Sequence, residues 1–118
     1  TLDWKFIASV KECIEKNMGD SDSNVEMLSN LHYMSRTSFF NKLKALTGYA
    51  PADYIRLIRL QHAAQLLKQG EYTITEIADK VGFSDAKYFR EVFKKYYGVS
   101  PSKYVEAEKI HSQSSEQD

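Results

Sequence analysis

Val25, Leu28, Ser29, His32, Tyr33, Met34 and Ser35 line up with Ile74, Ile77, Ala78, Val81, Gly82, Phe83 and Ser84 at an offset of 49. Beyond Ser84 the register moves by one. Phe39, Leu43, Lys44, Gly48, Pro51 and Tyr54 pair with Phe89, Phe93, Lys94, Gly98, Pro101 and Tyr104 at an offset of 50, so the second copy carries one extra residue just after Ser84. An internal repeat constrains the fold more than composition does, because each copy must form the same small unit and bury the same positions.

The second copy shows what that unit is. Thr73-Ile74-Thr75-Glu76 has the spacing of a capping box, which predicts a helix from about Ile74 with Ile74, Ile77, Ala78 and Val81 turned inward. Gly82 ends it, since glycine accepts the left-handed backbone of a sharp turn, and Phe83 is placed to fill the space between two helices. Ser84 and Asp85 are good caps for a second helix. In that helix Phe89, Val92, Phe93 and Tyr96 recur at helical spacing, leaving Lys87, Arg90, Glu91 and Lys94 on the other side. A short scaffold helix, a tight turn and a second helix with a polar outer face make a helix-turn-helix.

The first copy follows the same plan more loosely. Ser23 to Glu26 has capping-box spacing, Leu28 and Leu31 supply apolar positions, and Ser35 caps a helix with Phe39, Leu43 and Leu46 inward. Arg36, Thr37, Ser38, Asn41 and Lys44 then face outward. Tyr33 stands where the second copy has Gly82, at a cost of roughly 1 kcal/mol if the backbone there is left-handed. His32 replaces Val81, so the end of this scaffold helix is left open.

Between the copies, Pro51 suits a first helical position and nothing breaks a helix before Gly70. Tyr54, Ile55, Ile58, Leu60, Ala63, Leu66 and Leu67 recur at helical spacing. At ~1.5 Å per residue this linking helix spans about 28 Å, close to the ~34 Å between successive major-groove faces of B-DNA. Ahead of the repeat, Leu2, Phe6, Val10, Cys13 and Ile14, with Ile7 alongside, form a stripe on a helix ended by Gly19, whose expected role is to cover the first unit. The expected partition is 1–20 packing helix, 21–50 first helix-turn-helix, 51–70 linking helix, 71–110 second helix-turn-helix and final helix, and 111–118 disordered tail. The whole chain reads as all-α.

Net charge is zero, which by itself argues against a nucleic-acid partner. The distribution argues for one. Residues 35–68 hold six Lys/Arg against one acid and residues 84–104 five against two, while the remaining segments are acidic. Positive charge is therefore gathered on the reading and linking helices.

Several residues invite a sharper reading than they support. Cys13 on an apolar helix face is a packed small hydrophobe, and His32, His62 and His111 lack ligand spacing, so neither a metal nor a cofactor is expected. Tyr88, Tyr96, Tyr97 and Tyr104 are spaced with Phe89 and Phe93 for packing. Gly48 and Gly98 lack the Gly-Lys-Ser/Thr of a phosphate loop and read as helix stops. Phe40 follows the inward Phe39 on the flank of its helix, and either packs or touches a thymine methyl. No acid, base or nucleophile set recurs at a spacing that assembles a catalytic site, so no catalytic residues and no enzyme are expected.

Two runs of residues carry a family resemblance. Ser35-Arg36, Lys42 to Gly48, Pro51, Tyr54-Ile55-Arg56, Arg59-Leu60 and Ala63 to Leu67 form the first. Ile77-Ala78, Val81 to Asp85, Tyr88-Phe89, Val92 to Lys95, Tyr97 to Pro101 and Tyr104 form the second. Together they resemble the AraC/XylS-type DNA-binding domain over roughly residues 20 to 107. The first half is similar to regulators fused to two-component sensors in Bacteroidetes. The resemblance implies a seven-helix domain with two helix-turn-helix units that binds double-stranded promoter DNA and acts with RNA polymerase in the cytoplasm. Dimerisation would then lie in regions outside this chain, and no membrane contact is implied.

Carried over residue by residue, the base-reading positions fall on Thr37, Ser38, Phe40 and Asn41, and on Ala86, Lys87, Arg90 and Glu91. Arg36, Lys44 and Lys94 are expected to hold phosphates. Asn41 and Glu91 depart from the arginine common in the family, and edge chemistry suits them to adenine and cytosine. A protein-interaction domain on the same scaffold is the other class left standing, with neutral charge its main support.

Overall fold

The computed structural model describes residues 2–18 and 25–116. Among them lie seven helices and no strand: α1 (Leu2–Lys16), α2 (Val25–Leu31), α3 (Arg36–Thr47), α4 (Pro51–Gln69), α5 (Ile74–Lys80), α6 (Ala86–Tyr97) and α7 (Pro101–Glu116). The chain divides into two compact units, Thr1–Arg59 and Leu60–Asp118. The boundary falls inside α4, which is therefore not a segment apart. Its buried residues form two stripes of helical spacing: Pro51, Tyr54, Ile55 and Ile58, then Leu60, Ala63, Ala64 and Leu67. Each half of the helix contributes one stripe to one unit.

In the first unit α1 and α2 both pack on α3. Phe6, Val10 and Ile14 of α1, Leu28 of α2, and Phe39 and Leu43 of α3 are buried. The Phe6 ring meets Phe39 edge-on at 5.9 Å and His32 at 5.5 Å. His32 is the hinge of this packing. Its Nδ1 lies 2.7 Å from the Leu28 carbonyl oxygen and its Nε2 2.9 Å from the Ser9 hydroxyl. With Nδ1–H donating to the carbonyl, Nε2 accepts from Ser9, so both ring nitrogens are satisfied and α1 is tied to the turn after α2.

The two turns answer the question left by Tyr33. In the second unit the N–H groups of Val81, Gly82 and Phe83 donate to the carbonyls of Ile77, Asp79 and Ala78. In the first, those of His32, Tyr33 and Met34 donate to Leu28, Asn30 and Ser29, the same pattern at an offset of 49. Tyr33 adopts φ 55 and Gly82 φ 97, so the scaffold helix of the first copy ends as the second does, with a non-glycine residue in the left-handed region. The equivalent Ser29 and Ala78 are each 1% exposed. Small residues there let scaffold and reading helices approach, and Ser29 satisfies its hydroxyl by donating to the Glu26 carbonyl at 2.9 Å.

In the second unit α5 and α7 pack on α6. The Thr73 capping box forms in full: the Glu76 N–H donates to Thr73 Oγ1 at 3.1 Å and the Thr73 N–H to Glu76 Oε1 at 3.0 Å. The Thr73 N–H, with the Thr73 hydroxyl adding to it, holds the Glu76 carboxyl below its usual pKa. Phe83 drops into the core, 5.2 Å from Phe89, and Phe93 packs against Tyr97 and Tyr104.

Several expectations are corrected, among them the packing of Tyr88, which is 42% exposed and meets Phe83 at a ring distance of 6.1 Å. Leu2 and Leu31 are 80% and 52% exposed, because each lies at a helix end beyond the reach of a covering element. Tyr96 is 47% exposed and only edges against Tyr97. Helix α7 continues to Glu116, so residues 111–116 are helical rather than a disordered tail; no glycine or proline interrupts that stretch. Gly19, Ser23 of the first capping box, and residues 117 and 118 lie outside the described residues.

Candidate nucleic-acid interface

The two reading helices, α3 and α6, start and stop on the same devices. Ser35 caps α3, its Oγ accepting the Ser38 N–H at 3.1 Å, and Asp85 caps α6, its Oδ1 accepting the Lys87 N–H at 2.9 Å. The cap Ser35 corresponds to Asp85 at an offset of 50 and not to Ser84 as the sequence match pairs it, so the register shift falls one residue earlier, with Ser84 in the turn before the cap. Each helix ends at a glycine with φ 82, Gly48 or Gly98, whose N–H donates to the carbonyl of Lys44 or Lys94. Lys44 and Lys94 thus project from the same point of the same last turn. Glycine is favoured there, because it takes left-handed φ without the steric cost that a side chain brings.

Between cap and stop, Phe39 and Leu43 of α3, and Phe89 and Phe93 of α6, are wholly buried. Their burial fixes the helical phase and with it which residues face outward. Arg36, Thr37, Ser38, Phe40, Asn41 and Lys44 are exposed on α3. Lys87, Arg90, Glu91 and Lys94 are exposed on α6, and Ala86 is half-buried. The Phe40 ring is 41% exposed and lies beneath the Lys44 ammonium at 5.8 Å, so it is a surface residue that also braces a cation.

The two faces differ electrostatically. The start of α3 has a neutral cap followed by Arg36, and Arg36, Thr37 and Phe40 line a cleft with the first residues of α4. The start of α6 has an anionic cap, and the cleft beside it carries Glu76 and Asp79. A phosphate therefore meets a more favourable field at the first reading helix than at the second.

Arg56 is held by Asp53 at 2.9 Å, an internal pair of α4. Lys42 projects over the Phe6 ring at 4.4 Å and belongs to the α1 contact. Lys95 and Lys103 are further exposed cations that the helical phase did not single out, though both count in the basic surplus of residues 84–104. Tyr33, 97% exposed in the turn directly before α3, was also missed as a surface feature; its only signal was its register with Gly82. Among the described residues no three His, Cys, Asp or Glu side chains gather as a metal site, and no helix is long and apolar enough to cross a membrane.

The model of a helix-turn-helix domain family matches residues 28–107. A histidine kinase P4 of Formosa agariphila is 36% identical over 104 residues, covering 88% of this chain. The chain spans only 8% of that kinase, and 26–35% of three further curated regulators. The C-terminal domain of AraT, a response regulator from Geobacillus stearothermophilus, superposes with a TM-score of 0.79 at 30% identity, covering 86% of this chain and 84% of that one. The DNA-binding domain of AdpA, a global transcriptional factor solved in complex with a target DNA, also gives 0.79, at 28% identity over 92% of this chain and 94% of that one. The matched span runs from within α2 through α6 and so takes in both reading helices, and the chain belongs to the AraC-type helix-turn-helix family of transcription-regulator DNA-binding domains.

Proposed function

We propose that α3 and α6 read promoter DNA in successive major grooves. Thr37, Ser38, Phe40 and Asn41 would face base edges from the first helix, and Ala86, Lys87, Arg90 and Glu91 from the second. Arg36, Lys44 and Lys94 would hold phosphates. The observation that carries this reading is the shared construction of α3 and α6: equivalent caps, identical glycine stops and buried phenylalanines that leave an outer polar face. The likeness to AdpA, solved on its target DNA, supports it.

The likeness to a kinase and to a response-regulator domain supports a place as the output domain of a two-component protein. Sensing and dimerisation would then belong to other parts of that protein, RNA polymerase would be its partner at the promoter, and the setting would be the cytoplasm, where the DNA is. The domain would carry no chemistry of its own.

The test compares Asn41→Ala and Arg90→Ala on a preferred duplex and on random DNA. Each is expected to cost about 1 to 3 kcal/mol on the preferred site and much less on random sequence, because a lost base contact matters only where the right base was present. Equal losses on both would make the residue a backbone contact. Melting should stay within ~0.5 kcal/mol of the parent, since both positions are exposed. Failure to bind any duplex in low salt would favour the protein-interaction reading.

A further inference from the structure

The two reading faces are built alike but carry different chemistry. The outer positions of α3 between its phosphate-side cations are Thr37, Ser38, Phe40 and Asn41, none of them charged. Their equivalents on α6 are Lys87, Tyr88, Arg90 and Glu91 at an offset of 50, three of them charged. A threonine methyl and an exposed phenylalanine ring suit the C5-methyl of thymine, and an asparagine amide pairs in two bonds with adenine N6 and N7. Lysine and arginine instead donate to guanine O6 and N7, and a carboxylate accepts from the cytosine N4 amino group.

The charged groups of α6 are free for this. Glu91 stands four residues from both Lys87 and Lys95, the spacing at which helices pair opposite charges, yet neither ion pair forms. The Arg90 guanidinium and the Asn41 amide likewise bond to no protein group among the described residues. An unpaired carboxylate in the middle of a DNA-facing helix is costly near phosphates, and it is offset where it meets a hydrogen-bond donor in the groove, which cytosine supplies and thymine does not.

We propose that the domain recognises a two-part site of unlike composition, an A·T segment read by α3 through Thr37, Phe40 and Asn41, and a G·C segment read by α6 through Lys87, Arg90 and Glu91. This rests on the reading of both helices as base readers. Glu91 also lowers attraction to arbitrary DNA, so α6 supplies discrimination while α3, with Arg36 and the neutral cap, supplies more of the phosphate attraction.

The experiment is selection of bound duplexes from a random pool by the domain, repeated with Asn41→Arg and Glu91→Gln. The parent is expected to enrich one A·T segment and one G·C segment. Asn41→Arg should convert one A·T pair of the first segment to G·C and leave the second unchanged, and Glu91→Gln should convert one cytosine of the second segment to adenine. Each changed pair should shift relative affinity by roughly 5- to 150-fold. Because each variant acquires a new preference, misfolding cannot mimic the result. Enrichment of two segments of the same composition overturns the division while leaving base reading intact, as does a change by Asn41→Arg inside the G·C segment. Absence of any enriched sequence overturns both.

Discussion

Lys44 and Lys94 project from equivalent last turns, each four residues before a glycine stop, and under the proposed function their ammonium groups would hold the duplex backbone. Changing either to alanine is expected to weaken binding evenly across sequences and to reduce the slope of log affinity against log salt by about one. An altered base preference at constant slope would contradict this. Tyr33 offers a test of a different kind. It holds φ 55 with 97% of its surface exposed, so its side chain repays none of the left-handed strain by burial. Tyr33→Gly is expected to raise stability by up to about 1 kcal/mol in urea titration, the relief of strain being partly offset by the greater freedom of glycine in the unfolded chain. No gain, with DNA affinity lost, would show that the ring is kept for contact with the duplex.

At the scale of helices, what was legible in the sequence was whatever depends on neighbours three or four residues away. The Thr73 capping box, the caps at Ser35 and Asp85, and the stops at Gly48 and Gly98 all form as their spacing predicts. What was not legible depends on a partner far along the chain. His32 reads as a departure from Val81, and its purpose appears only with Ser9, 23 residues away, on its other nitrogen. The phases of α3 and α6 were right because four fully buried side chains fix them, whereas Leu31 and Tyr96 lie where periodicity continues but no covering element reaches. Tyr97 shows what such covering does in α6. Its ring stacks on Phe93 at 4.5 Å and its hydroxyl reaches toward the Leu60 carbonyl, and burial pushes its pKa from 10.0 up to about 12. The neutral phenol is therefore favoured in the fold. Its contribution to stability is fully present below pH 10.0 and is lost as pH rises toward about 12, where the unfolded chain releases the proton first. Denaturation from pH 8 to 11.5 should show a falling alkaline limb that is shallower in Tyr97→Phe; an unchanged limb would assign it to other groups.

For the molecule as a whole, neutral net charge and DNA binding are reconciled by where the charges sit. The basic surplus falls on residues 35–68 and 84–104, and the acids on segments that include α1, the loop before α5, and the end of α7. A uniformly basic domain would bind every phosphate backbone alike. One whose basic surplus lies on its reading and linking helices places that attraction on those helices and leaves discrimination to base edges. The repeat then sets the expected footprint. Two units of the same construction, with α3 and α6 as their reading helices, would under the proposed function each occupy one major groove. Hydroxyl-radical footprinting of the monomeric chain on a selected duplex should show two protected patches about 10 base pairs apart. Asn41→Ala should weaken one patch and Arg90→Ala the other. A single patch at saturation, unmoved by one of the two substitutions, would mean that only one unit enters DNA and that the polar face of the other serves a different partner, which the neutral charge of the chain would then explain.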